Sequence, residues 1–267
     1  MAYGPRNLRI AFTGKNLTHF GGLFLVQHFF QRLGLRRSLA RAIKLDQRNN
    51  RYSTSELILA LVYPTLVGLG RIDATGVPQQ NGVFRFLTGL ATYPHPTTLR
   101  RFLLRFAHQG LAAFLRLHDQ LRQRMLASPS RVILDLDTTV LTVYGKQEGA
   151  RIGYNPRKRG RPSDHPLLCF EGVTRDLWDG SFHPGNTHPA TVAIELLTRA
   201  LDRLPPSVRE VRVRADSAFF DHKILEFLEA NRASCAIVAR LTPPLKAKLG
   251  GLHFQQASGA IAAAEFS

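Results

Sequence analysis

Over the first 130 positions the apolar residues recur at helical spacing. HFGGLFLVQHFFQRLG (19–34) predicts one helix and SLARAI (38–43) a shorter one. STSELILALVYPTLVGL (53–69) opens with Ser53 and Glu56 at capping-box spacing, and Pro64 is expected to kink or end that helix. GVFRFLTGL (82–90) predicts another short helix. The stretch from Pro96 to Ala127 reads as one long helix, capped by Thr97 or Thr98, with Leu99, Phe102, Leu103 and Phe106 as its apolar stripe. After the polar SPS at 128–130 the period changes from helical to strand-like. RVILDLDTTVLTVYG (131–145), LLCFEGVT (167–174) and LWDGSFHP (177–184) predict three strands, the last two joined by a turn at Arg175–Asp176. A helix over 187–205, a strand over 208–216, a helix capped by Asp221 and a strand over 234–240 complete the order βββ-α-β-α-β. The final stretch from Leu241 loses its pattern, and no internal repeat is present.

This division predicts two regions, a helical one over 1–130 and an α/β one over 131–267, α+β overall. Charge sharpens it. The net charge is +17, and it is uneven: residues 1–130 hold 18 basic and 4 acidic residues, whereas residues 131–267 hold 18 and 15. A basic half rich in arginine suits a polyanion, most simply double-stranded DNA, because arginine grips phosphate and guanine bidentately. Arg100, Arg101 and Arg105 lie largely off the apolar stripe of the long helix and are candidate DNA contacts; a merely solvated basic face is the alternative. The apolar run 57–70 is too short for a membrane span and contains Pro64. No secretory signal pattern opens the chain, and two distant cysteines, Cys169 and Cys235, form neither a disulfide framework nor a zinc pattern. A cytoplasmic location is the expectation.

The strand at 131–144 carries two acids in an apolar setting, and buried carboxylates are costly unless paired or metal-bound. Side chains alternate along a strand, so Asp135, Asp137 and Thr139 share one face and Leu134 and Leu136 the other. A third notable acid, Asp216, stands where a strand ends and turns towards a helix. Oxygen ligands at strand ends suit Mg²⁺ or Mn²⁺, and two such ions can cut a phosphodiester. Beside this strand, GARIGYNPRKRGRPSDHP (149–166) forms a basic loop. There Arg157, Lys158, Arg159 and Arg161 can hold phosphates and Tyr154 can stack on an unpaired base, or the loop is simply a solvated turn. His183 and His188 form no metal-ligand spacing, and Trp178 reads as a core anchor.

Two families share these motifs. LDLDTT resembles the D-x-D-x-T strand of haloacid-dehalogenase-like phosphatases, with Asp135 as nucleophile, Asp137 as acid/base, and Asp216 and Asp221 as a later acid pair. Against that stand the basic helical half upstream and the strand meander downstream. The order βββ-α-β-α-β is that of the ribonuclease H-like fold, with one carboxylate on the first strand and another after the fourth. LDLDTTVLTVYG, the basic loop, HPGNTH and VRADSAFF closely resemble the DDE-type transposases of bacterial insertion sequences, in particular the DDE group-one transposase domain, over residues 17–240. The resemblance implies an enzyme that binds terminal inverted repeats, possesses a two-ion Mg²⁺ (or Mn²⁺) site and transfers DNA strands, acting on the bacterial nucleoid, with a homodimer on DNA as a further partner state. It assigns the catalytic and metal-binding acids to Asp137 and Asp216, with Asp135 as an alternative first acid. A third acid on a helix after the fifth strand is not found; Glu265 lacks such a setting, and Glu226 and Glu229 precede that strand. The expectation is therefore an incomplete, C-terminally truncated nuclease domain that binds DNA and cuts it poorly. DNA binding without catalysis is the third reading.

Overall fold

The computed structural model describes residues 18–45, 51–125, 129–253, 255–258 and 261–263. Glu265, the first 17 residues and Ser128 of the polar hinge lie outside them. The chain divides into two compact units, Met1–Met125 and Leu126–Ser267, each with its own core.

The first unit is helical: α1 (Leu23–Leu33), α2 (Leu35–Ala42), α3 (Thr54–Leu66), a 3-10 turn at Ile72–Thr75, α4 (Gly76–Gln80), α5 (Gly82–Thr88), α6 (Pro96–Gln109) and α7 (Leu111–Met125). Gly34 takes the left-handed conformation (φ 64°) that lets α1 stop and α2 start at once. The Ser53–Glu56 capping box forms as the sequence predicts, and Pro64 sits in the last turn of α3, which ends two residues later. Replacing Ser53 by alanine is expected to cost about 1 kcal/mol in chemical denaturation, because it leaves the Glu56 N–H without its cap. The core gathers Tyr63, Phe84, Leu99 and Phe102, all fully buried. The Tyr93 hydroxyl donates to the Ala60 carbonyl at 2.5 Å, and burial pushes the Tyr63 and Tyr93 phenols above their ordinary range.

Three expectations for this unit change. The long helix is two helices, broken at Gly110, where a Cβ would meet the Phe106 ring at 2.7 Å. Its cap is not a threonine: His95 accepts the Thr97 N–H through its side chain. Leu103 of the proposed stripe is exposed, whereas Leu99 and Phe102 of the same helix are buried.

The second unit is built on a five-stranded sheet of β1 (Arg131–Thr138), β5 (Leu167–Glu171), β6 (Leu177–Ser181), β7 (Glu210–Ala215) and β8 (Ser234–Ile237). The spatial order is β6-β5-β1-β7-β8. β1 pairs antiparallel with β5 and parallel with β7, β5–β6 is a hairpin, and β7–β8 is parallel. Helices α8 (Pro189–Asp202) and α9 (His222–Ala230) supply the crossovers. Taking the main strands in chain order, this is 3-2-1-4-5 with an antiparallel hairpin leading into parallel strands, the ribonuclease H-like arrangement. Between β1 and β5 the chain inserts a small sheet of β2 (Leu141–Thr142), β3 (Arg151–Ile152) and β4 (Pro162–Asp164) in the order β2-β4-β3. The sequence reading had a single strand through 145 and a loop over 149–166. Strand β8 likewise ends at Ile237, and the unpatterned tail holds α10 (Pro243–Leu249) and a β9–β10 pair (Gln255–Ser258, Ile261–Ala263).

Alternation along β1 decides what the sheet buries. Val132, Leu134 and Leu136 pack into a core with Leu196, Leu197, Ile224 and Leu228 of α8 and α9, while Asp135 is half-buried and Asp137 exposed on the opposite face. The strand is therefore covered on one side only, and its acids escape the desolvation that a fully buried strand would impose. Trp178 is fully buried, as expected of an anchor, and donates to the Ala200 carbonyl of α8 at 3.0 Å.

Candidate active site

β1 and β7 lie side by side with Asp135 opposite Arg214. Two residues beyond that last pair, Asp137 stands near the carboxyl end of β1 and Asp216 just past the carboxyl end of β7, where it caps a 3-10 turn. Local structure holds each acid. Asp137 Oδ1 accepts the Thr138 N–H at 2.7 Å, and Asp216 Oδ1 accepts the Ala218 N–H at 2.9 Å as it caps the 3-10 turn Ser217–Phe219. Both side chains are exposed and each keeps a second oxygen for a ligand.

Asp135 has a different fate. It accepts two parallel bonds from Arg214, at 2.6 Å from Nε and 2.6 Å from Nη2, and Arg175 approaches at 3.7 Å. The Asp135 carboxylate bonded to Arg214 raises the guanidinium pKa. Gly172 makes room for this clamp: a Cβ there would lie 2.8 Å from Arg214 Nη2 and 2.9 Å from Ile133 Cγ2. The clamp is supported by the turn after β5. Buried Glu171 accepts N–H groups from Val173 (2.9 Å) and Thr174 (2.6 Å), the Thr174 hydroxyl (3.0 Å) and, more weakly, the Ile133 N–H (3.4 Å). Burial works to raise the Glu171 pKa, and the hydrogen bonds from Thr174, Val173 and Ile133 overcome it, so the net shift is downward.

Next to Asp216 opens a cavity of about 720 Å³. Tyr154, Pro156 and Arg157 form one wall, and Asn186, His188 and Pro189 at the start of α8 another. Thr138, Thr139, His165 and Arg240 also line it. The walls are joined by backbone. A Cβ on Gly153 would fall 1.9 Å from the Gly185 carbonyl oxygen, and one on Gly185 would fall 2.2 Å from the Ser163 hydroxyl. The basic loop is folded rather than free: buried Asn155 donates to the Thr142 hydroxyl at 2.9 Å and accepts the Lys158 N–H at 2.9 Å. Arg157, Lys158, Arg159 and Arg161 remain exposed, Arg161 over the Tyr144 ring at 5.8 Å.

In the helical unit the candidate arginines differ. Arg101 is exposed, Arg100 is ion-paired with Asp73, and Arg105 is partly buried. Arg122 of α7 is buried beside Asp119 at 3.2 Å and is no surface contact. Sequence reasoning missed His165, Arg240 and the Arg214 clamp. His165 and Arg240 reach the cavity only through topology, whereas Arg214 could have been found by its position two residues before Asp216.

Exposed hard-oxygen donors on neighbouring strand ends are a fitting donor set for a divalent ion that takes one or two carboxylates and keeps several waters. Among the described residues no group of three His, Cys, Asp or Glu side chains is gathered around a common point.

The sheet order is that of a ribonuclease H-like domain, with the two acids at the carboxyl ends of β1 and β7. Residues 2–258 match the family model described as transposase DDE domain group 1, and the chain belongs to that family. The phosphatase reading is thereby overturned: that fold requires a parallel α/β sheet and a free nucleophile, whereas β1 is flanked by an antiparallel hairpin and Asp135 is clamped by Arg214. Among solved structures, a piggyBac transposase synaptic complex with hairpin DNA is similar at 13% identity and a TM-score of 0.45, covering 92% of this chain and 58% of that one. A Mos1 transposase paired-end complex with the left transposon end gives 13% identity and a TM-score of 0.30, covering 78% of this chain and 67% of that one. A Mos1 mariner paired-end complex with Mn gives 12%, 0.29, 88% and 85% in the same order. The chain thus spans 58% of the length of the piggyBac chain. No curated protein sequence matches. Among the described residues no helix is long and apolar enough to cross a membrane.

Proposed function

We propose that this chain is the transposase of a bacterial insertion sequence, which binds the element's terminal inverted repeats and acts on DNA at Asp137 and Asp216. The observation that supports the reading is the parallel pairing of β1 with β7, whose carboxyl ends carry Asp137 and Asp216, with Asp216 lining a cavity that Arg157 and Arg240 also line. Asp137 and Asp216 would hold Mg²⁺ or Mn²⁺, which when bound supplies an activated water and charge neutralisation at the phosphodiester. The protein's own part is to position. Thr138 and Ala218 N–H groups fix the two carboxylates, and the Asp135–Arg214 clamp fixes the strands that carry them. Arg157, Lys158, Arg159 and Arg161 of the second unit, with Arg100, Arg101 and Arg105 of the first, would take phosphates, and two copies would assemble on the DNA ends. With two carboxylates gathered among the described residues, the reading for this chain is firm DNA binding and weak cleavage, at a cytoplasmic, nucleoid-associated location.

Counterion release gives the test. Affinity for a duplex bearing the element's terminal repeats is expected to fall steeply with salt in a fluorescence-anisotropy titration. Alanine substitutions in the basic loop are expected to reduce the log–log slope by about one for each phosphate-contacting side chain removed. A slope that ignores all four loop substitutions would place the DNA elsewhere on the molecule. Robust Mg²⁺-dependent cleavage of terminal repeats by the purified chain, abolished by Asp216→Ala, would overturn the weak-cleavage half of the proposal.

A further inference from the structure

We propose that the cavity beside Asp216 is a seat for one unpaired nucleotide of a DNA strand, a reading that rests on the transposase proposal and narrows its substrate. Its size, about 720 Å³, falls within the roughly 300–1,000 Å³ of small-ligand sites and is far too small for a stacked base pair with its neighbours. Its wall chemistry matches the three parts of a nucleotide. Tyr154, 73% exposed and lining the cavity with Pro156 two residues on, offers a flat face on which an unstacked base can lie. Arg157 and Arg240 bring cations to the same cavity for a phosphate, and the start of the 14-residue helix α8 forms the adjoining wall with its positive dipole end.

The independent observation is His165. It is only 7% exposed, yet it lines the cavity. Nδ1 lies 3.2 Å from the Thr187 carbonyl, an acceptor, so in the neutral ring Nδ1 carries the proton and Nε2 is left as an acceptor. Nε2 makes no hydrogen bond among the described residues. A buried histidine that lines a cavity, with one ring nitrogen held by the Thr187 carbonyl and the other left as an acceptor, can serve as a recognition group, and the N–H donors on a base edge are its complement. In a duplex both faces of a base are stacked and its pairing edge is occupied, so only a nucleotide freed from its partner can meet Tyr154 and His165 together. Because Asp216 shares the cavity, the captured nucleotide lies next to the phosphodiester presented to the acid pair.

The test uses the whole chain and two otherwise identical duplexes, one blunt and one with a single unpaired 2-aminopurine at its 3′ end. The overhang duplex is expected to bind about tenfold more tightly than the blunt one, the size of one base–aromatic stack, with its fluorescence quenched on binding. Tyr154→Ala and His165→Ala are each expected to cost the overhang duplex about ten times more affinity than they cost the blunt one. Tyr154→Phe should restore quenching, which a purely structural role for the hydroxyl would not do. Tyr154 is exposed, so its variants keep the fold and the test survives even if His165→Ala unfolds. Equal affinity for the two duplexes overturns the nucleotide seat alone. Complete displacement of the overhang by excess free deoxynucleoside monophosphate overturns it in favour of a free nucleotide. Binding to neither duplex overturns the DNA reading on which it rests.

Discussion

An Asp137→Ala chain is expected to lose Mn²⁺ at the carboxyl ends of β1 and β7, while an Asp135→Ala chain keeps the ion. The two acids share a face of one strand, but their surroundings separate them. Asp137 is exposed and bonded only to its neighbour's N–H, so one oxygen is free to ligate. Asp135 has both oxygens taken by Arg214, a geometry that serves strand pairing rather than ligation. Removing a carboxylate ligand is expected to weaken Mn²⁺ by at least about tenfold in an electron-paramagnetic-resonance titration, and Asp216→Ala should match Asp137→Ala. Asp135→Ala should instead lower the urea midpoint, because it leaves Arg214 without its bidentate partner between the two strands. Were the ion lost with Asp135 and retained without Asp137, the assignment of the first acid would be reversed.

Glu171→Ala is expected to destabilise the second unit by about 3 kcal/mol. Its buried carboxylate is the acceptor for three backbone N–H groups and one hydroxyl at and beside the turn after β5, and alanine would remove all four bonds to a charged acceptor, each worth roughly 1.5–3 kcal/mol at most before water replaces the exposed ones. The same group sets an acid limb. Its folded pKa lies below the ordinary 4.5, so its contribution is complete above about pH 4.5 and is lost as the pH falls through the lower folded value. Urea midpoints measured from pH 7 down to 3 should drop more steeply for the wild type than for Glu171→Gln. Parallel limbs in the two proteins would assign the acid loss to other carboxylates.

The order of the main strands, the capping box and the placement of Asp137 and Asp216 were legible because each is written in local pattern. Period-two alternation marks β1, and a strand-then-turn pattern marks Asp216. What was illegible depends on groups distant in sequence. Nothing around Asp135 announces a partner 79 residues away, and the clamp exists only because the parallel register brings Arg214 opposite it. The break at Gly110 was hidden because a single glycine is tolerated inside many helices. Two histidine caps were missed although the sequence repeats the signal: HPTT at 95–98 and HPAT at 188–191 both place His before the proline that opens a helix. In both, the ring Nδ1 accepts the N–H two residues on, the work usually given to Ser, Thr or Asp. The small sheet β2-β4-β3 was read as a loop because strands of two or three residues are too short for any period to show.

The contact of Gly153 with Gly185 has a mechanical consequence. At that point the two cavity walls meet as bare main chain, so neither can shift without carrying the other. The packing there leaves no room for a methyl group on either glycine, while the side chains of Tyr154 and Arg157 stay exposed. Bulk added at either glycine would act as a wedge, spreading the basic loop from α8 and enlarging the aperture without altering any side chain that faces it.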